Sequence, residues 1–218
     1  MNWKWLRRMA WLDTRAAFVS SLRHGGKLLD LGSSDGETLS HIAELRPDIA
    51  LCACDVKGCP EKYPLGCHFE RKNLETDILP WPNASIDGIT CMHLVEHLAS
   101  LDNLLAECAR LLKPGARVYF ETPHPKTLSY SSPPGTSAGS FTMNFFDDLT
   151  HIRPISVGGL ATLCRKKGLG VVASGISRNL LFATAYPWFI LQAPSRKRYT
   201  AKAHWLGWSA FLIAEREA

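Results

Sequence analysis

The stretch Lys27-Leu-Leu-Asp-Leu-Gly-Ser-Ser-Asp-Gly36 constrains the fold of this chain more than any other. A short apolar run breaks into a turn of Gly and Ser, and a helical pattern from Glu37 to Leu45 follows. That order is a buried strand feeding a tight turn and a helix. Gly32 and Gly36 let the backbone turn sharply and approach a bound molecule closely. Nineteen residues past Gly36, Asp55 ends a second apolar run, Ile49 to Asp55. An acidic residue there is placed to accept the two hydroxyls of a ribose. The pair reads as a nucleoside-cofactor site.

Three turn chemistries compete for it. A phosphate-binding loop needs a Gly-Lys-Ser/Thr ending, which the chain lacks. A dinucleotide fingerprint starting at Gly32 would want Gly at 34 and 37, where Ser34 and Glu37 stand. Glu37, in the first turn of the helix, would also repel a pyrophosphate. A cofactor without phosphates fits best.

Further along, strands and helices alternate. A leading amphipathic helix is expected over Trp3 to Leu22, on the spacing of Trp5, Met9, Leu12, Ala16 and Val19. Strands are expected at 27–31, 49–55, 67–71, 86–92 and 117–121, with helices at 37–45 and 101–112. Ser156 caps a further helix to Lys167, and 171–176 and 208–214 read as strands. The segment between those two strands is aromatic and basic. Ser129 to Ser140, rich in Ser, Pro and Gly, reads as a loop or lid. The alternation argues for a parallel, doubly wound α/β sheet with helices on both faces. Ligands bind such sheets at the carboxyl ends of the strands, which gathers Gly32, Asp55, His93 and Thr122-Pro-His-Pro125 on one rim. We expect one domain over 1–218: a leading helix (1–24), a cofactor-binding core (25–125), a lid loop (126–155), and a C-terminal helix, strands and acceptor-side insertion (156–218).

The pattern Asp-x-Gly-x-Ser-x-Gly from Asp30 to Gly36 resembles motif I of the class I S-adenosylmethionine-dependent methyltransferases. Asn73 to Asp87 looks like that family's loop over adenine, and Gly88 to Leu98 with Leu111-Leu-Lys-Pro-Gly115 is similar to its type 11 and type 23 branches. Asp147-Asp-Leu-Thr-His-Ile-Arg-Pro154 is similar to bacterial members found beside cell-envelope polysaccharide genes. The chain departs from the family at Ser34, where Gly is usual, and at Asn73, where Asp is usual. The resemblance implies a Rossmann-like sheet of seven strands with the last antiparallel, S-adenosylmethionine as cofactor, and methyl transfer to a small-molecule or saccharide acceptor. It places Asp30, Gly32, Ser33, Ser34 and Gly36 at the methionine moiety, Asp55 and Val56 at the ribose, Asn73 and Leu74 near adenine, and His93 at the methionine end. A non-catalytic cofactor-binding protein is the alternative that Ser34 and Asn73 keep open, and an RNA methyltransferase ranks below it.

The sulfonium is already an activated leaving group, so the protein must align a nucleophile, exclude water and, for some acceptors, remove a proton. His93, His97, His124 and His151 are the histidines able to take one, and His124 and His151 are the catalytic candidates. Glu121 is as readily structural as catalytic. Cys52 and Cys54 point the same way from one strand, and Cys59 and Cys67 are loosely spaced, so buried thiols are expected rather than a metal site. Seven cysteines, an odd number, with no secretion signal lead us to expect reduced thiols in the cytoplasm. The net charge of +5 comes without a long Lys/Arg run or an RNA-binding module, which argues against a nucleic-acid partner. Trp3, Trp5 and Trp11 accompany basic residues at one end, and Trp188, Trp205 and Trp208 flank Arg196 to Arg198 at the other. Ordinary packing explains them, and weak contact with anionic lipid is the sharper expectation.

Overall fold

The structure, a computed structural model, describes residues 7–132 and 142–217. Trp3 and Trp5, and most of the proposed lid between Ser129 and Ser140, lie outside the described residues. Seven strands form one sheet: β1 (Lys27–Leu31), β2 (Ala50–Cys54), β3 (His68–Glu70), β4 (Ile86–Met92), β5 (Leu112–Pro123), β6 (Leu169–Ser177) and β7 (Ser209–Arg216). Their order is β3-β2-β1-β4-β5-β7-β6. The first five pair in parallel, and β7 runs antiparallel to both β5 and β6. This is the expected Rossmann-like sheet.

The pleat sorts side chains onto two faces, because successive residues of a strand point to opposite sides. On one face Leu29, Leu31, Cys52 and Cys54 pack against Leu104, Cys108 and Leu111 of α3 (Asp102–Leu111) and Leu160 and Cys164 of α4 (Val157–Lys166). On the other, Leu28, Leu51 and Ala53 meet Phe18 and Val19 of α1 (Thr14–Ser20) and Leu39, Ile42 and Leu45 of α2 (Glu37–Leu45). Each fully buried Leu or Phe contributes about 1.5–3 kcal/mol. All seven cysteines are free thiols, and burial pushes those of Cys54 and Cys164 up to about 12.

One expectation needs correction. The leading helix is not continuous: a 3-10 turn (Ala10–Leu12) precedes α1, and Asp13 separates them. The buried Asp13 carboxylate accepts the N–H groups of Arg15 and Ala16 and the Asn179 side chain at 2.8 Å, so it caps α1 and ties it to the far end of the chain. The aromatic and basic segment between β6 and β7 is a pair of helices, α5 (Leu180–Phe189) and α6 (Arg196–Leu206). Asn179 and Ser195 cap them, and Gly207 ends α6 with φ +71°. Ala183 and Ala201 are their buried residues, so neither carries the apolar stripe that makes a helix visible in sequence.

Candidate active site

The turn after β1 lies over the end of β2. Gly32 donates its N–H to the Cys54 carbonyl at 2.8 Å, with φ +79°. Gly36, also at φ +79°, starts α2, and a Cβ there would come within 2.3 Å of the Tyr63 ring. Between them Ser34 holds φ +48°, a left-handed conformation that is costly for any residue but glycine. Tyr63, which sequence reasoning missed, clamps the turn: its hydroxyl lies 2.9 Å from Ser33 Oγ and donates to the Ser34 carbonyl at 2.9 Å.

Asp55 stands just past β2 and accepts the N–H of Ser34 on Oδ2 at 2.9 Å and that of Lys57 on Oδ1 at 2.7 Å. A carboxylate oxygen has two lone pairs, so each can accept one further donor, such as a ribose hydroxyl. Val56 beside it is 58% exposed, an apolar surface facing away from the core. Asn73 is turned into its own loop, accepting from the Glu75 N–H at 3.0 Å while Asp77 accepts the Asn73 N–H, and Leu74 is buried. Asp30 is buried in the sheet, where Thr90 donates to it at 2.6 Å. Burial pushes its carboxyl up to about 7, against the Thr90 hydrogen bond and with the charge of Asp55.

Beyond β4 and β5 the rim opens into a cavity of about 940 Å³. Arg15, His93, Asp148, Thr150, Arg196, His204, Trp208 and Ser209 are among its lining residues. A wholly buried carboxylate, Glu121, holds two of its lining side chains, Arg15 and His93. Arg15 pairs with both Glu121 oxygens, Nε at 2.9 Å; Tyr119 donates at 2.6 Å, Ser177 at 2.8 Å, and His93 Nε2 stands at 3.1 Å. Burial would raise the Glu121 carboxyl, but the charge and hydrogen bonds of Arg15 and His93 hold it well below the usual range. His93 adopts φ +52°, shares its Nδ1 with Glu96 at 3.1 Å and faces Trp208 with ring centres 5.2 Å apart. Burial disfavours the imidazolium, but the hydrogen bonds to Glu121 and Glu96 outweigh it and raise His93 to about 9. Glu121 therefore positions Arg15 and His93.

The histidines do not converge on one point. His124 is not among the cavity-lining residues; its Nδ1 accepts the Lys126 N–H at 3.1 Å, which leaves the ring proton of the neutral form on Nε2. Burial and Lys126 lower its pKa. His151 is elsewhere, its ring 4.7 Å from that of His97 and 4.4 Å from that of Phe145. Arg15, Trp208 and Ser209 gave no local signal, since each is ordinary in its own segment.

A family profile described as a methyltransferase domain matches residues 3–174. The chain belongs to the class I S-adenosylmethionine-dependent methyltransferases. It is 31% identical over 129 residues to a ubiquinone biosynthesis O-methyltransferase of Thiobacillus denitrificans, covering 56% of this chain and 53% of that protein. A protein of the same name from an Azoarcus species is 24% identical over 181 residues, 79% of this chain and 74% of the relative. The chain thus spans about half the length of most of the curated relatives it matches. Among solved structures, an S-adenosylmethionine-dependent methyltransferase from Mesorhizobium loti superposes with a TM-score of 0.63 at 18% identity, covering 92% of this chain and 96% of that one. That likeness is one of fold. S-adenosylmethionine is the cofactor of this methyltransferase, and the rim suits it: glycines where the backbone turns, spare acceptor positions on Asp55, and the exposed apolar Val56 beside them. Among the described residues no helix is long and apolar enough to cross a membrane.

Proposed function

We propose that this methyltransferase acts on an oxygen of a small, hydroxyl-bearing acceptor seated in the cavity beside His93. The observation that carries the reading is the cavity itself: about 940 Å³, lined by Arg15, Trp208 and His93, the last of these just past the end of β4. A planar or anionic group suits that lining, because a guanidinium binds oxyanions and an indole stacks. The curated relatives are named as O-methyltransferases of ubiquinone biosynthesis, which supports an oxygen acceptor. A saccharide hydroxyl, including one of a cell-envelope polysaccharide, is the second class, favoured by Asp147, Asp148 and Thr150 in the same lining.

When bound, S-adenosylmethionine supplies the methyl group on an activated sulfonium. The residues of the chain do the rest. Asp55 and Val56 hold the ribose, Asn73 and Leu74 flank adenine, and Asp30, Gly32, Ser33, Ser34 and Gly36 surround the methionine moiety. His93 closes the cavity end of that moiety. Alignment of this kind is worth about 7–11 kcal/mol, more than a base contributes. His151, whose Nδ1 is committed to the Phe145 carbonyl at 2.6 Å, keeps an Nε2 lone pair that can accept a proton in the metal-free protein. His124 presents an Nε2–H and serves as a donor. The exposed Trp188, Leu191 and Trp205, next to Arg196, Lys197 and Arg198, support weak contact with a lipid surface.

Calorimetry with S-adenosylhomocysteine, followed by a screen of small hydroxylated aromatic and saccharide acceptors with labelled cofactor, tests the reading. Cofactor binding with no turnover on either class would return the protein to the non-catalytic alternative.

A further inference from the structure

We propose that Glu96, His97 and His151 bind one divalent first-row metal ion behind Thr150, a residue that lines the cavity. A carboxylate oxygen of Glu96 and one ring nitrogen from each histidine lie within 4.8 Å of one another. Glu96 is wholly buried, and its second oxygen, Oε2, has no hydrogen-bond partner among the described residues, while Oε1 takes the bond from His93. A buried carboxylate oxygen left without a donor costs a few kcal/mol, which a cation would offset.

Both imidazoles are turned to offer their Nε2. His151 Nδ1 lies 2.6 Å from the Phe145 carbonyl, which can only accept, so that nitrogen carries the proton. His97 Nδ1 lies 3.2 Å from the Thr150 carbonyl and 2.9 Å from Thr150 Oγ1. The Thr150 hydroxyl gives its own proton to Asp148 at 2.6 Å, so both Thr150 oxygens accept from His97 Nδ1–H. A histidine whose Nδ1–H is tied to a backbone carbonyl has its tautomer and ring plane set for ligation through Nε2. The scaffold is braced as well: the Ile152 N–H donates to the Glu96 carbonyl at 2.9 Å, holding the turn at Val95–His97 against the segment that carries His151.

Two imidazoles and one carboxylate suit Zn²⁺, Co²⁺ or Fe²⁺ rather than Mg²⁺ or Ca²⁺. Tetrahedral ligands at about 2.1 Å from the ion stand roughly 3.4 Å apart, so no pair of ligand atoms would need to close by more than about 1.4 Å. Three protein ligands leave a coordination position open. Asp148 and Thr150, which brace the cluster, also line the cavity, so an acceptor oxygen is the natural fourth ligand. The metal site stands on its own geometry and does not depend on the acceptor proposed above.

The full chain, stripped with a chelator, is titrated with Co²⁺ by visible absorption and with Zn²⁺ by calorimetry. One equivalent should bind with a tetrahedral or five-coordinate Co²⁺ spectrum, and affinity should fall at least tenfold in Glu96→Gln and in His97→Ala. His68→Ala, which removes an exposed histidine beside Glu70, should bind like the parent. Substoichiometric binding, binding that survives in either cluster variant, or an equal loss in His68→Ala would overturn the assignment. S-adenosylhomocysteine calorimetry on the same variants separates the two readings: cofactor affinity kept while metal is lost supports the metal site. A parent chain that takes up metal but no cofactor leaves the site intact and refutes the methyl-transfer reading instead.

Discussion

Asp30→Asn should make this protein more stable, by an amount that grows from about pH 4 and is complete above about pH 7. Asp30 sits in the middle of the sheet on β1, 3% exposed, with Thr90 as its hydrogen-bond donor. Burial, opposed by Thr90 and helped by Asp55, moves its carboxyl from 3.8 to about 7. Each decade of that displacement is about 1.4 kcal/mol, so the ionised form costs the fold on the order of 4 kcal/mol. The sign follows from proton counting. Below the unfolded value near 3.9 both states hold the proton and the group is neutral to stability. Between about pH 4 and pH 7 the unfolded chain has lost the proton and the folded one keeps it, so stability falls as pH rises and levels off above 7. Asparagine keeps the shape and an oxygen for Thr90 but carries no charge, so it removes the decline. Relaxation of the site will reduce the full figure. We expect the variant within about 1 kcal/mol of the parent at pH 4.5 and about 2–4 kcal/mol more stable at pH 8, a rise of roughly 4–16 °C for a chain of this size. Urea unfolding at the two pH values measures it. S-adenosylhomocysteine carries an ammonium group, so its binding should tighten from pH 6 to pH 8 in the parent and lose that pH dependence in Asp30→Asn. A variant no more stable at pH 8 than at pH 4.5, relative to the parent, would refute the burial argument.

Three further outcomes follow from the same site. Ser34→Gly relieves a left-handed φ and should add about 0.5–1 kcal/mol, read from thermal melts, with cofactor affinity kept or improved. Gly36→Ala forces a Cβ against the Tyr63 ring at φ +79° and should cost about 2–3 kcal/mol and weaken S-adenosylhomocysteine binding at least tenfold; unchanged calorimetry would show that the turn is not the cofactor cradle. Arg15→Ala strands the buried Glu121 carboxylate and should cost about 2–3 kcal/mol by urea unfolding, somewhat below the usual figure because the Arg15 side chain is one-third exposed, while cofactor affinity holds.

The nucleoside rim was legible because everything that makes it is local. An apolar run followed by Gly32 and Gly36, a helix from Glu37 to Leu45, and an acidic residue ending the next run are conditions on neighbouring residues, and the chain meets them without help from elsewhere. The two-faced core is local in the same sense, since the strand alternation sends Leu29 and Leu31 one way and Leu28 the other. The order of the strands and the antiparallel β7 came from family resemblance, because periodicity records no pairing.

The acceptor cavity is a different matter. Arg15 and Glu121 are 106 positions apart, and His93 and Ser209 are 116 apart. No spacing rule links them. Glu121 reads as one more strand residue until burial strips its water and brings Arg15, Tyr119, Ser177 and His93 around it. Helices α5 and α6 stayed hidden because each buries a single alanine, and caps and mutual packing hold them in place of an apolar stripe. The sequence alone thus determined the strands and the turn, whose signals lie within a strand and a helix of each other, and, through family resemblance, the sheet order and the cofactor. The cavity beside His93, the Glu121 network and the meeting of Glu96 with His97 and His151 were decided only by the tertiary structure, because their energies arise where segments distant in the chain exclude water from one another.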